Sequence, residues 1–175
     1  MSIAHGGAAG LVLALAVACA PAGPPSQADE VRDVVEAIYA PYLRQDPDAG
    51  GLAAVPWTDE LAAKLTEIEE RFARTLNAWG LEYDPIVNSQ ESYVANVRVG
   101  APVLAEDGTA TVVVRYNNGG REDEIQEFVL IQQHGEWRVS DLRLEEWSFA
   151  AQVDEAVTQG RAYDVCMQSR PAAEC

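Results

Sequence analysis

The spacing of apolar residues predicts two helices in the first half of the chain. After Asp29, a favourable N-cap, apolar residues recur every three or four positions, as on one helix face, and Pro41 should end or kink this helix near residue 40. A second helix should begin after Thr58 and be capped by Gly80. The two apolar stripes are Val31, Val34, Val35, Ile38, Tyr39 and Tyr42, and Leu61, Leu65, Ile68, Phe72, Leu76 and Trp79. The other face of the second helix is charged and is expected to be solvated: Lys64, Glu67, Glu69, Glu70, Arg71 and Arg74.

Beyond Tyr83 the apolar pattern changes to alternation, which predicts strands. Four β-rich runs lie near 93–104, 109–116, 124–133 and 136–144. The turn signals between them are short enough for hairpins, so the sheet should be an antiparallel meander. A short last helix should run from Ser148 to about Gly160. This order predicts an α+β fold, with the N-terminal helices packed on a four-stranded sheet.

The N-terminus carries the features of an export signal. Eight apolar residues, 11–18, precede Cys19, a run too short to span a bilayer but suited to a signal peptide. A cysteine directly after Leu-Ala-Val-Ala resembles the lipobox of bacterial lipoproteins, whose thiol is diacylated before cleavage. We therefore expect an exported, periplasmic protein held to the inner or outer membrane only through a lipid on Cys19. Cleavage without lipidation, and an uncleaved segment or misassigned start, are the alternatives.

These features divide the chain into four parts. They are a signal peptide (1–18), the lipidated cysteine with a flexible Pro/Gly tether (19–28), one domain (29–160) and a C-terminal tail (161–175). The tail holds Cys166 and Cys175, for which a disulfide is predicted in an oxidising compartment, with two free thiols as the alternative. The spacing of these cysteines provides neither a redox motif nor a set of zinc ligands.

The chain is strongly acidic, with 28 Asp and Glu against 12 Lys and Arg and a net charge of −16. This charge repels phosphate backbones and anionic lipid headgroups, so nucleic acid is not expected as a partner. The charge is compatible with a basic partner and is also explained by solubility alone. The partner expected is an envelope protein or a small ligand.

The residues give little support for catalysis. His134 precedes a glycine in a predicted turn, where an exposed side chain is common, and neighbouring carboxylates on a strand point to opposite faces. We assign no catalytic residue, metal or cofactor. The most distinctive segment is 83–91, a polar run with an Asx-Pro turn between the second helix and the sheet. It can either brace the backbone or bind a polar ligand.

The run Asp-Pro-Ile-Val-Asn-Ser-Gln-Glu at 84–91 resembles the DUF3828 family of small bacterial envelope proteins. The similarity continues through 94–99, 110–116 and 135–142, where Gly-Glu-Trp-Arg-Val-Ser-Asp-Leu resembles the closing strand of that family. The resemblance implies an NTF2-like or cystatin-like fold, in which a curved sheet wraps a helix and leaves a concave mouth. The residues expected to line or brace this mouth are Tyr83, Asp84, Asn88, Gln90, Arg98, Arg115 and Trp137.

Two functions remain open from the sequence. The first is a non-enzymatic module that binds an envelope protein or a small ligand, with Arg98 and Arg115 paired to Asp84 or Asp141, or Arg115 projecting into solvent. The second is an NTF2-like enzyme that uses Asp84 or Asp141 as a buried general base beside Tyr83 or Tyr116. A carboxylate with a raised pKa in an apolar pocket would favour the enzyme, and carboxylates tied to arginines would favour the binding module.

Overall fold

A computed structural model describes residues 25–44, 51–77, 81–90, 93–170 and 174. The signal segment 1–18, Cys19 and Cys175 lie outside the described residues. The described elements are α1 (Gln27–Leu43), a 3₁₀ turn (Leu52–Ala54), α2 (Asp59–Thr75), β1 (Val94–Val99), β2 (Val103–Leu104), β3 (Thr109–Asn118), β4 (Arg121–Gln133), β5 (Glu136–Leu144), β6 (Trp147–Ser148) and α3 (Phe149–Met167). The α+β class is confirmed. Among these elements no helix is long and apolar enough to cross a membrane.

The described strands form one antiparallel sheet in the order β1-β3-β4-β5-β6, and β2 also pairs with β3. The meander is confirmed, but the sheet has six strands where four were expected. The expected strand 93–104 is divided into β1 and β2 because Pro102 has no N–H for the ladder. The bend also brings Gly100 close to β3, where its N–H donates to the Val113 carbonyl at 2.9 Å. A Cβ on Gly100 would lie 2.7 Å from that oxygen, so this crossing favours glycine.

Helix α1 covers one face of the sheet with its apolar stripe. It begins one turn earlier than expected, because Ser26 and Asp29 form a capping box in which each side chain bonds the backbone of the other. Pro41 lies inside the helix, which continues to Leu43. Proline removes one backbone hydrogen bond, and burial of the neighbouring Tyr39 and Tyr42 holds the last turn in place.

An aromatic cluster forms the centre of the core under α1. The ring of Tyr39 lies 5.7 Å from that of Tyr116 on β3 and 5.9 Å from that of Phe128 on β4, measured between centroids. All three side chains are buried. Burying rings of this size in mutual contact fixes α1 against the middle of the sheet.

Helix α3 is longer than predicted. It runs seven residues past Gly160, so residues 161–167 of the expected tail are helical. Gly160 does not end the helix. It lets Arg71 of α2 approach, since a Cβ there would lie 2.7 Å from both Cδ and Nη1 of Arg71. Cys166 therefore lies on the last turn of a helix.

Helix α2 packs against α3 through its charged side. Lys64 pairs with Asp154 at 2.6 Å, Arg161 with Glu67 at 2.6 Å, and Arg71 with Asp164 at 2.9 Å. Arg71 is only 5% exposed. The expectation that this face is solvated is therefore wrong for Lys64, Glu67 and Arg71. Each of them forms an ion pair with a residue of α3, which lies far along the chain.

Candidate functional site

An apolar groove runs beside α2, on the side of the helix that does not face α3. Its volume is ≈ 840 Å³. One wall is α2, and the opposite wall is formed by residues 52–57 and 81–82. The apolar lining consists of Leu52, Ala53, Val55, Pro56, Trp57, Ala62, Leu65, Ile68, Phe72 and Leu81, and the polar lining of Asp59, Thr66, Glu69, Glu82 and Arg138.

The groove exists because of the way in which α2 is packed. Its ion pairs with α3 hold the helix so that Leu61, Leu65 and Ile68 contact the core, while the C-terminal part of the apolar stripe faces the groove and solvent. Only Leu61 and Ile68 of the stripe are buried among the described residues, whereas Phe72 is 42% exposed and Leu76 is 80% exposed. Helix α2 also ends at Thr75, earlier than expected, with Leu76 in the left-handed conformation at φ 54°. Trp79 and the expected cap Gly80 lie outside the described residues.

The wall opposite α2 is tied firmly to the rest of the fold. Thr58 donates its N–H to the Val139 carbonyl at 3.0 Å, and Val139 donates to the Pro56 carbonyl at 2.9 Å, so this segment extends the edge of β5. The indole N–H of Trp57 donates to the Leu52 carbonyl at 2.8 Å. The Trp57 ring lies 5.3 Å from that of Phe149 between centroids. These contacts give the groove a preformed shape, as is usual for ligand sites.

The rim of the groove is acidic. Asp59 lies 2.9 Å from Nε2 of His134, measured from its Oδ2. Glu69 and Glu82 are exposed, and neither forms an ion pair within the part of the chain that the structure describes. Arg138 is already paired with Glu136. The rim therefore carries uncompensated negative charge beside an apolar floor.

A second, smaller groove of ≈ 470 Å³ lies between α1 and β1. Its lining is Glu36, Ala37, Tyr39, Ala40, Leu43, Val97 and Val99. It offers one carboxylate and few polar groups that could orient a ligand.

The distinctive loop 83–90 braces the core. Asp84 and Ser89 exchange two backbone hydrogen bonds, of 3.0 and 3.2 Å, which close the loop. Ile86 and Val87 are fully buried. Their carbonyls accept hydrogen bonds from the hydroxyl of Tyr39 at 3.2 Å and from Nδ2 of Asn118 at 3.3 Å. Of the two roles considered from the sequence, these contacts favour bracing.

Asp84 is a half-buried carboxylate with both oxygens engaged. Its Oδ2 accepts from the hydroxyl of Tyr42 at 2.5 Å, and its Oδ1 accepts from the N–H of Ile86 at 2.9 Å. Burial raises the pKa of Asp84 above its usual value, although both hydrogen bonds oppose this shift. Burial, followed by the hydrogen bond to this carboxylate, raises the pKa of Tyr42. Asp84 lines neither groove, and the phenol that it contacts is Tyr42 instead of Tyr83 or Tyr116.

Asp141 caps the N-terminus of α3. Its carboxylate accepts from the hydroxyl of Ser148 at 3.0 Å, from the N–H of Ala150 at 2.9 Å and from Nε of Arg143 at 2.9 Å. The oxygens of this carboxylate are therefore occupied by an arginine and by the first turn of a helix. This geometry suits a structural cap better than a general base.

The residues predicted for the concave mouth are spread over several places. The hydroxyl of Tyr83 donates to Oε1 of Gln152 on α3 at 2.6 Å. Arg98 is exposed and pairs with Asp123, and not with Asp84 or Asp141 as proposed from the sequence. Arg115 is exposed and lies directly opposite Arg98 in the sheet, in line with the alternative of projection into solvent.

The other predicted positions lie apart from these. Asn88 is exposed in the left-handed conformation at φ 46°, its carbonyl accepting from Arg121 at 3.4 Å. Gln90 is exposed, and Trp137 is buried in the core. The structure therefore does not bring the seven side chains together in either described groove.

The residues that line the groove were not predicted from the sequence to form a site. Leu65 and Phe72 were recognised only as members of the apolar stripe of a helix expected to pack on the sheet. A signal was present in the apolar segment 52–57, which ends in Trp57, because a loop between two helices rarely needs so many large apolar residues.

Cys166 is disulfide-bonded. Its partner lies outside the described residues, as do Cys19 and Cys175, so the pairing with Cys175 stays a prediction. In the described part of the chain, no group of three or more His, Cys, Asp or Glu side chains is placed to hold a metal ion.

No protein-family model matches the chain, and no curated protein matches it. The resemblance to the DUF3828 family stays a prediction.

Proposed function

We propose that the protein is a non-enzymatic binding module of the bacterial envelope, and that its binding site is the groove beside α2. In this proposal the chain is exported, cleaved before Cys19 and anchored in the membrane by a lipid on that residue. The domain is a variant of the NTF2-like or cystatin-like fold. Its ligand site lies outside the sheet, between α2 and residues 52–57.

One observation carries the proposal: α2 packs on α3 through charged residues and leaves apolar residues open above a groove of ≈ 840 Å³. Small-molecule sites typically enclose roughly 300–1,000 Å³ and are mainly apolar with a few polar groups. Exposing apolar residues while burying charged ones lowers the stability of an isolated domain. A binding role explains why a chain would accept this cost.

The chemistry of the carboxylates supports binding over catalysis. Asp141 is tied to Arg143 and to the start of α3, and Asp84 serves the loop that braces the core. A general base needs a free oxygen within reach of its substrate. Neither residue lines the described grooves.

The test is binding of Nile red, a neutral dye that fluoresces in apolar sites, to the purified full chain. Ala62 lines the groove, so Ala62→Trp should fill it and reduce dye binding by at least tenfold. The control is Ala63→Trp, the same change one residue along α2 at an exposed position outside the groove. It should bind the dye like the wild type.

Circular dichroism should show that both variants keep the wild-type helix content. Absence of dye binding to the wild type, or equal binding by the wild type and both folded variants, would contradict the proposed site.

A further inference from the structure

We propose that the natural occupant of this groove is a basic amphipathic helix of a partner protein. Its apolar side would lie on the floor of the groove and its Lys or Arg side chains over the acidic rim. This inference rests on the proposed function, since it names the class of ligand for the same site.

The charges on the two sides of α2 differ in a way that points to a cationic partner. On the side towards α3, Glu67 is neutralised by Arg71 and Arg161. On the groove side, Glu69 and Glu82 have no ion-pair partner among the described residues. Among the described residues, the cations near Glu67 neutralise it, whereas the one cation that lines the groove, Arg138, is paired with Glu136 and not with Glu69 or Glu82.

The other charged groups at the rim leave its net charge negative. Arg138 is held by Glu136, and Asp59 lies against the imidazole of His134. The chain as a whole carries −16. An anionic ligand would be repelled at this rim, and a cationic one would be attracted and would gain ion pairs beside a low-dielectric surface.

The length of the apolar surface favours a helix over a small molecule. From Ala62 to Phe72 the apolar lining on α2 spans ten residue steps, or about 15 Å along the helix. Phe72 is 42% exposed and Leu76 is 80% exposed, so the apolar surface continues beyond the enclosed part of the groove. A surface of this shape suits helix-in-groove recognition, in which side chains at i, i+3, i+4 and i+7 anchor the partner.

The experiment uses a rhodamine-labelled 18-residue helix with leucine on one face and lysine on the other, and a second peptide with glutamate in place of lysine. Fluorescence anisotropy with the full chain should show the lysine peptide binding at least tenfold more tightly than the glutamate peptide. Added salt should weaken the binding of the lysine peptide, because salt screens ion pairs. Ala62→Trp should abolish its binding, and Ala63→Trp should not.

A matched pair of double variants separates the rim from the total charge. The double variant Glu69→Gln with Glu82→Gln should bind the lysine peptide about fivefold or more weakly than the wild type. This change corresponds to the loss of two partly screened ion pairs. Glu70→Gln with Glu146→Gln changes the net charge equally at exposed positions outside the groove and should change the affinity less than twofold.

The outcomes distinguish this inference from the proposed function. If Nile red binds in the groove but the lysine peptide does not bind, or binds no better than the glutamate peptide, the basic helix is refuted and the site stands. Equal weakening by the two double variants would show that the total charge acts and not the rim, which also refutes it. Absence of dye binding to the wild type would refute the proposed site itself, and the inference with it.

Discussion

Gly160→Ala offers a sharp test of the packing between α2 and α3, because the two effects of this change have opposite signs. In a helix interior, alanine is more stable than glycine by about 1 kcal/mol. At this site, however, the new methyl group would lie 2.7 Å from both Cδ and Nη1 of Arg71. The side chain of Arg71 would have to move.

The structure indicates how much stability is lost when Arg71 moves. Moving Arg71 breaks the bonds from its Nε to Asp164 at 2.9 Å and from its Nη2 to Glu67 at 3.0 Å. A hydrogen bond to a charged group contributes about 1.5–3 kcal/mol, and the low end applies because both acceptors are partly exposed. A loss of about 3 kcal/mol against a gain of about 1 leaves the variant about 2 kcal/mol less stable. For a domain of this size that lowers Tm by about 4–8 °C.

The assay is urea unfolding, followed by circular dichroism, of the wild type, Gly160→Ala, Arg71→Ala and the double variant. In the Arg71→Ala background the clash is absent, so Gly160→Ala should stabilise the protein by about 1 kcal/mol. A stabilising effect of Gly160→Ala in the wild type, or additive effects in the cycle, would refute the close packing of Arg71 on Gly160.

Three further predictions concern groups outside this contact. Burial raises the pKa of Asp84 above 3.8, so the native state binds the proton of this carboxyl more tightly than the unfolded chain does and loses stability as the pH rises above 3.8. Asp84→Asn should therefore gain stability relative to the wild type in urea titrations as the pH is raised above 3.8, and a stability difference that does not change with pH would contradict this. If Cys166 pairs with Cys175, the tryptic peptide 162–175 should weigh two hydrogens less without reductant, and a cross-link to Cys19 would refute that pairing. Intact-mass measurement on the membrane fraction should show a chain that begins at acylated Cys19, and an unmodified soluble chain with another start would refute the anchor.

The regular elements could be predicted because local patterns determine them. The apolar stripe of α1, the N-cap at Thr58 and the alternation in β3 and β4 each depend on nearby residues. The end of α3 was mispredicted because a contact with a distant residue requires its glycine. In the sequence, Gly160 resembles a residue that ends a helix. In the structure it lies inside α3, where the absence of a Cβ leaves room for the side chain of Arg71.

The candidate site could not be derived from the sequence for the same reason. An amphipathic helix normally buries its apolar face, so the stripe of α2 predicts packing on the sheet and gives no sign of an open groove. Only the partners on α3, which lie about ninety positions away, show that α2 packs by its charged side; Arg71 and Asp164 are 93 residues apart. The loop 83–90 was predicted to contribute to a site because it is polar. Its polar groups instead close the loop and hold Ile86 and Val87 in the core.

The most direct test of the central claim is to locate bound ligand by methyl NMR, with Leu and Val methyl groups labelled and Nile red added to the full chain. We predict shifts at Leu52, Val55, Leu65 and Leu81, which line the groove beside α2. Val103, Leu104 and Val113, which are exposed on the sheet, should not shift. Shifts confined to those sheet residues, with the groove methyl groups unchanged, would contradict the claim that α2 forms the binding site.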